Sequence, residues 1–366
     1  MTDPIQGTRR LGQSIWLDYI RRNLITSGEL QKMVRDGISG ITSNPAIFQK
    51  AIAQSDDYHE ALEALLRSDP DTGVETIYEH LAVEDIRMAT DILRPVYEAS
   101  GATDGFVSLE VSPYLAYDTS ATVAEVRRLW RLVDRPNLMI KVPATPQGIP
   151  AIETLIAEGI NINVTLMFSL KHYEAVSHAY IRGIARSPHP ERVASVASFF
   201  VSRVDTYTDR ELQRIGTAEA LALQGRVAIA NSKLVYRRFR EVFLGKEFAQ
   251  GRENGARLQR VLWGSTSTKN PAYSDVMYVD GLIGPDTVNT LPPETIDAFR
   301  SHGQARRTVD EGLAEAEEIL ANLRKVGVDL ELVTERLQQD GVKAFADSFD
   351  QLLSTLEERR KVWVAK

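Results

Sequence analysis

The sequence predicts an α/β fold, and within that class a (β/α)8 barrel of the TIM type carrying additional helices. Two observations lead there. Short apolar-rich segments alternate with amphipathic helical stretches along all 366 residues, as expected of a parallel sheet whose crossovers are helices. Eight such segments stand out, the number that closes a parallel barrel. A doubly wound open sheet gives a similar alternation. No Gly/Ser/Pro-rich linker divides the chain, so residues 1–366 are expected to form one barrel domain.

In chain order the candidate strands are Ser14–Ile20, Gly37–Asn44, Gly105–Val111, Asn137–Ala144, Asn161–Phe168, Val193–Val201, Val261–Ser267 and Asp275–Gly284. Between the first two, Thr26 and Glu29 have capping-box spacing, Leu30, Met33 and Val34 form an apolar stripe, and Gly37 can close the helix. The stretch of about 45–100 holds more helix than one crossover needs, as does about 206–260. Both are expected to be helical insertions. A further helical extension, rich in Glu, Leu and Arg, runs from about 292 to 366.

Composition narrows the chemistry. There are no cysteines, which removes disulfides, thiolate nucleophiles and cysteine metal sites. The six histidines, His59, His80, His172 and His178 among them, show no paired zinc spacing and are expected on helix surfaces. Nothing calls for a metal. A net charge of -7 argues against nucleic acid as a partner, while leaving room for a local cationic pocket. The N-terminal segment has no signal-peptide core and no apolar run reaches membrane length, so a cytoplasmic protein without membrane partners is expected. A homo-oligomer is compatible with these features.

The most informative stretch is NLMIKVPAT, Asn137 to Thr145. In a strand, Leu138, Ile140 and Val142 share one face, and Asn137, Met139, Lys141 and Pro143 share the other. If the aliphatic face meets the helices, Lys141 points into the barrel. Desolvation disfavours an ammonium, and a neutral amine attacks carbonyls, which is Schiff-base chemistry. An edge-strand lysine that blocks aggregation is the structural alternative.

The same alternation turns other polar residues inward. Asp18 goes with Trp16, Ser108 with Glu110, and Thr42 with Asn44. Asn161, Asn163, Thr165 and Met167 share a face, as do Ser198 and Phe200, and Ser265 and Ser267. Burying this many polar groups is unfavourable unless they pair with one another or with a ligand, so their convergence favours an active site over a structural network.

These motifs resemble those of the transaldolases. The resemblance runs in order through WLDYI around Asp18, GITSNPAIF around Asn44, VSLEVSPYLAYDT around Glu110, IKVPATPQGIPAI around Lys141, GININVTLMFS around Asn163 and Thr165, SFFVSRVD from Ser198, and WGSTSTKNP near Lys269. Chain length and helical expansions resemble the longer branch of the family, which is itself similar to one half of a bifunctional protein with an isomerase. No second catalytic domain is visible here.

The resemblance implies a barrel with its Schiff-base lysine on the fourth strand, here Lys141. It also implies transfer of a dihydroxyacetone unit from sedoheptulose 7-phosphate or fructose 6-phosphate to glyceraldehyde 3-phosphate or erythrose 4-phosphate, in the non-oxidative pentose phosphate pathway. No cofactor or metal is implied. Asp18 would move the proton at the cleaving bond, Glu110 and Thr165 would handle water during Schiff-base formation, and Thr42, Asn44 and Asn163 would lie against the dihydroxyacetone unit. Ser198 and Arg203 would hold phosphate, with Phe200 beside them. The compact branch carries a second arginine where this chain has Lys269, so any role of Lys269 would be as a point charge. A fructose 6-phosphate aldolase is the nearest rival, but those relatives are shorter and lack the glutamate matched here by Glu110. A non-catalytic sugar-phosphate-binding protein would need neither Lys141 nor Asp18.

Overall fold

The computed structural model describes residues 3–364. Eight parallel strands close on themselves in sequence order. They are β1 (Gln13–Leu17), β2 (Ile41–Thr42), β3 (Val107–Glu110), β4 (Leu138–Pro143), β5 (Ile162–Met167), β6 (Ser195–Phe200), β7 (Arg260–Gly264) and β8 (Thr287–Leu291). β8 pairs with β1 from Gln13 opposite Thr287 to Leu17 opposite Leu291, which leaves no edge strand. The barrel expectation holds, and the edge-strand reading of Lys141 falls with it.

Alternation places two different layers. Leu138, Ile140 and Val142 join the large core between strands and helices. Trp16, Phe106, Met139, Ala194, Val196, Leu262 and Val288 form a separate apolar cluster inside the barrel. Gly40 is required by that plug, because a Cβ there would come within 2.5 Å of the Trp16 ring.

Several expectations need correction. The eighth strand is Thr287–Leu291, not Asp275–Gly284, which contains the short helix Met277–Asp280. The true strand is hidden because its outward face carries Thr287 and Asn289. The Thr287 hydroxyl accepts from the Gln13 amide at 3.0 Å, and Asn289 Oδ1 accepts from the Thr266 hydroxyl at 2.8 Å. Thr26 and Glu29 form no capping box. Thr26 ends one short helix, its hydroxyl donating to the Arg22 carbonyl, and Gly28, at φ 85°, starts the next. Met167 leaves the inward face because Leu166 sits at φ 59° and the β5–β6 register shifts between Val164 and Met167. His172 is buried, not on a helix surface; its Nδ1 accepts from the Phe168 N–H at 3.3 Å.

The region 45–100 folds as the helices Pro45–Ala53, His59–Ser68 and Val74–Ala99. After β8 come Pro293–His302, Leu313–Lys325 and a 35-residue helix, Leu330–Val364. This last helix runs over the C-terminal ends of the strands: Gln338 Nε2 donates at 3.0 Å to both the Ala144 and Leu166 carbonyls. Gly341 permits that approach, since a Cβ there would lie 2.8 Å from the Leu166 side chain. Among the described residues, no helix is long and apolar enough to cross a membrane.

Candidate active site

At the C-terminal ends of the strands, a cavity of about 80 Å³ is lined by Asp18, Thr42, Asn44, Lys141, Ser198, Phe200 and Arg203, with Ser265, Thr290 and Phe345 among the other walls. Larger cavities exist elsewhere, but none of them brings Lys141, Asp18 and Arg203 together. Chemistry therefore locates the site better than volume does.

Lys141 reaches the cavity because β4 is buried on both faces and only its inward face has polar company. Its register partners are Glu110 on β3 and Asn163 on β5. Nζ lies 3.2 Å from Glu110 Oε2, an ion-pair distance, and donates to the Ser43 carbonyl at 3.0 Å. Glu110 Oε2 is buried with no directional hydrogen bond. Burial pushes the Glu110 carboxyl above the ordinary range, opposed by the Lys141 charge.

Asp18 follows the last residue of β1 and is anchored by its N–H, which donates to the Leu291 carbonyl at 2.8 Å. Its Oδ1 accepts from the Thr42 hydroxyl at 2.6 Å, and that hydroxyl is also 2.6 Å from Thr290 Oγ1. Burial raises the Asp18 pKa; Lys141, the Thr42 hydrogen bond and Arg203 pull it back. Arg203, at the start of the helix Ser202–Ile215, lies with its guanidinium carbon 5.4 Å from the Phe200 ring centroid. Burial pulls its pKa down while Asp18 and Glu110 push it up, and a guanidinium stays charged in either case. Lys141 and Arg203 thus lie among two carboxylates that burial pushes up.

The remaining sequence candidates divide. Asn44 caps the helix Pro45–Ala53, its Oδ1 accepting from the Ile47 N–H at 3.0 Å while the side chain lines the cavity. Asn163 does not line it: its amide donates to Ser108 Oγ at 3.0 Å and accepts from Ser198 Oγ at 2.6 Å, which makes it a brace behind Ser198. Thr165 lies opposite Pro143, and its hydroxyl is buried with no hydrogen-bond partner among the described residues. Lys269 stands apart, exposed and bonded to Ser267 Oγ at 2.7 Å, two residues back in its own loop.

Sequence reasoning missed Thr290, Phe345 and the Ser43 carbonyl. Thr290 was concealed by the misplaced eighth strand. Phe345 belongs to a helix whose position over the barrel has no local signature, and the Ser43 contact is made by backbone. No cluster of His, Asp and Glu placed to hold a metal ion occurs among the described residues.

Comparison with known proteins agrees with this geometry. The family model for Transaldolase/Fructose-6-phosphate aldolase matches residues 15–356. A transaldolase of Thiobacillus denitrificans is 51% identical over 352 residues, covering 95% of this chain and 98% of its own. A transaldolase 2 of a Nostoc species is 46% identical, covering 97% of each chain. A transaldolase of Thermobifida fusca is 45% identical, covering 98% of this chain and 99% of its own. The chain belongs to the transaldolase/fructose-6-phosphate aldolase family, and these relatives place it with the transaldolases, which are transferases.

Proposed function

We propose that Lys141 carries the donor fragment of a transaldolase reaction as a Schiff base, moving a dihydroxyacetone unit between phosphorylated sugars. The observation that supports this most is the enclosure of Lys141 with Asp18 and Arg203 at the strand ends, with Glu110 Oε2 3.2 Å from its Nζ. The neutral amine adds to the ketose carbonyl, and loss of water gives an iminium that withdraws electrons from the adjacent carbon–carbon bond. Asp18 accepts the proton of the hydroxyl on the departing carbon, the bond breaks, and the aldose phosphate leaves. The enamine that stays on Lys141 then adds to the acceptor aldehyde, Asp18 returns the proton, and water releases the new ketose phosphate.

Glu110, 3.2 Å from Nζ, is placed to move protons as water leaves and returns. The unpartnered hydroxyl of Thr165 is suited to holding that water. Ser198 and Arg203 supply phosphate donors, the guanidinium as a planar fork. Asn44 and Thr42 bound the space for the dihydroxyacetone unit. The expected donors are sedoheptulose 7-phosphate and fructose 6-phosphate, and the expected setting is the cytoplasm. We read the chain as one barrel domain, since its large core cluster extends from Ile5 to Leu356.

Borohydride added with fructose 6-phosphate should fix a dihydroxyacetone-sized adduct on the peptide containing Lys141, and Lys141→Met should abolish it. Adduct on Lys171 or Lys233 instead would overturn the assignment. Product formation only when erythrose 4-phosphate is present separates transfer from aldol cleavage to water.

A further inference from the structure

The opposite end of the barrel carries a second, larger cavity, of about 620 Å³. Gln13 and Ser14 open β1, Ser195 opens β6 and Arg260 opens β7, so the cavity lies at the N-terminal ends of the strands. One apolar layer separates it from the Lys141 site. Met139 and Val196 line its floor, and Lys141 and Ser198 follow two residues later on the same inward faces.

Four arginines line this cavity, Arg9, Arg252, Arg257 and Arg260, against two carboxylates, Asp104 and Asp286. The Asp104 carboxylate is occupied by Ser14 Oγ at 2.5 Å and Trp16 Nε1 at 2.6 Å. None of the four arginines makes an ion pair among the described residues; the partners of the three that are hydrogen-bonded are uncharged. Arg252 donates to the Phe243 and Gly245 carbonyls, and Arg257 to those of Glu191, Gly101 and Ala102. Arg260 donates to Thr103 and Thr287 carbonyls and to Ser14 Oγ. Neutral acceptors fix the forks in place, while Asp104 and Asp286 act electrostatically on Arg260. In a chain of net charge -7 this leaves four cations against two carboxylates in one concave site.

We propose that this cavity is a second binding site, distinct from the Lys141 site, for an organic phosphate. The phosphate would take the free donors of Arg9 and Arg257 as charge-assisted hydrogen bonds. The ligand body would rest on the floor of Phe106, Met139, Ala194 and Val196. Sugar phosphates and nucleoside monophosphates share this chemistry.

Calorimetric titration of the full chain at low ionic strength with glycerol 3-phosphate and with AMP tests it. Neither probe has a carbonyl for Lys141. Binding is expected to survive Arg203→Ala within twofold and to weaken at least tenfold in Arg9→Gln and in Ala102→Asp, with transfer activity unchanged in those two. Ala102→Asp is chosen for folding, because Ala102 sits at φ 58°, where Asp is tolerated better than Ala. Tighter binding of AMP would identify the nucleotide class; equal binding would assign recognition to the phosphate alone. Failure of both probes to bind at millimolar concentration would refute the site. So would binding lost in Arg203→Ala but kept in Ala102→Asp, since the anion would then occupy the Lys141 cavity.

Discussion

Replacing Gln338 with alanine should loosen the cover of the active site without touching any group in it. The Lys141 cavity, at about 80 Å³, is far smaller than the roughly 300 Å³ at which small-molecule sites begin. One of its walls, Phe345, belongs to the helix Leu330–Val364, so outward movement of this helix would enlarge the cavity. Gln338 resists that movement through two buried hydrogen bonds of 3.0 Å to the Ala144 and Leu166 carbonyls at the ends of β4 and β5. At about 1 kcal/mol net for each bond, truncation should favour the open helix by about 2 kcal/mol, a factor of up to about 30 in the opening equilibrium. Amide hydrogen exchange read by mass spectrometry should show that loss of protection from Leu337 to Phe345 and little elsewhere. Trapping of Lys141 by dihydroxyacetone and borohydride should accelerate in parallel. Unchanged exchange in this segment, or a uniform loss of protection across the barrel, would refute the helix as a cover held by Gln338.

The other expectations concern the charged groups. Asp18→Asn should still trap an adduct but block carbon–carbon cleavage, and Glu110→Gln should slow adduct formation itself; single-turnover trapping that finds both steps at the wild-type rate would remove the assigned roles. Arg203→Ala should raise KM for fructose 6-phosphate, through loss of roughly 1.5–3 kcal/mol, much more than KM for fructose. Lys269→Ala should leave that preference intact, because Lys269 is exposed and bonded within its own loop, and a loss of preference would bring it back into the phosphate site. Asp205 is pushed up to about 7 from 3.8, first by burial. Between those values the folded chain keeps a proton that the unfolded chain releases, so stability should fall as pH rises through the window, by on the order of 4 kcal/mol in all. Asp205→Asn, which can keep the contacts to the Ala228 N–H and the Tyr278 hydroxyl, should flatten Tm against pH; an unchanged slope would assign the dependence to other groups.

The barrel and the heart of its site were legible in the sequence because strand alternation is a local property with a fixed period. Lys141 between Ile140 and Val142 and Glu110 beside Leu109 declare their faces without reference to the rest of the chain, as does Asp18 one place beyond Leu17. Alternation failed where the backbone departs from the extended form, as at Leu166, and where an outward face is polar, as at Thr287 and Asn289 of β8. It could not say that Asn163 is spent on Ser108 and Ser198, or that Lys269 stays in its loop, because hydrogen-bond partners are chosen among residues distant in sequence. The cover of the site is the furthest from local information. Gln338 and Phe345 lie on an ordinary amphipathic helix, and only the packing of Gly341 against Leu166 and the reach of one amide to two strand ends bring that helix over Lys141. The sequence thus determined which side chains face inward, a matter of dihedral periodicity, while tertiary structure decided which of them meet and what closes over them, a matter of contacts that no local pattern encodes.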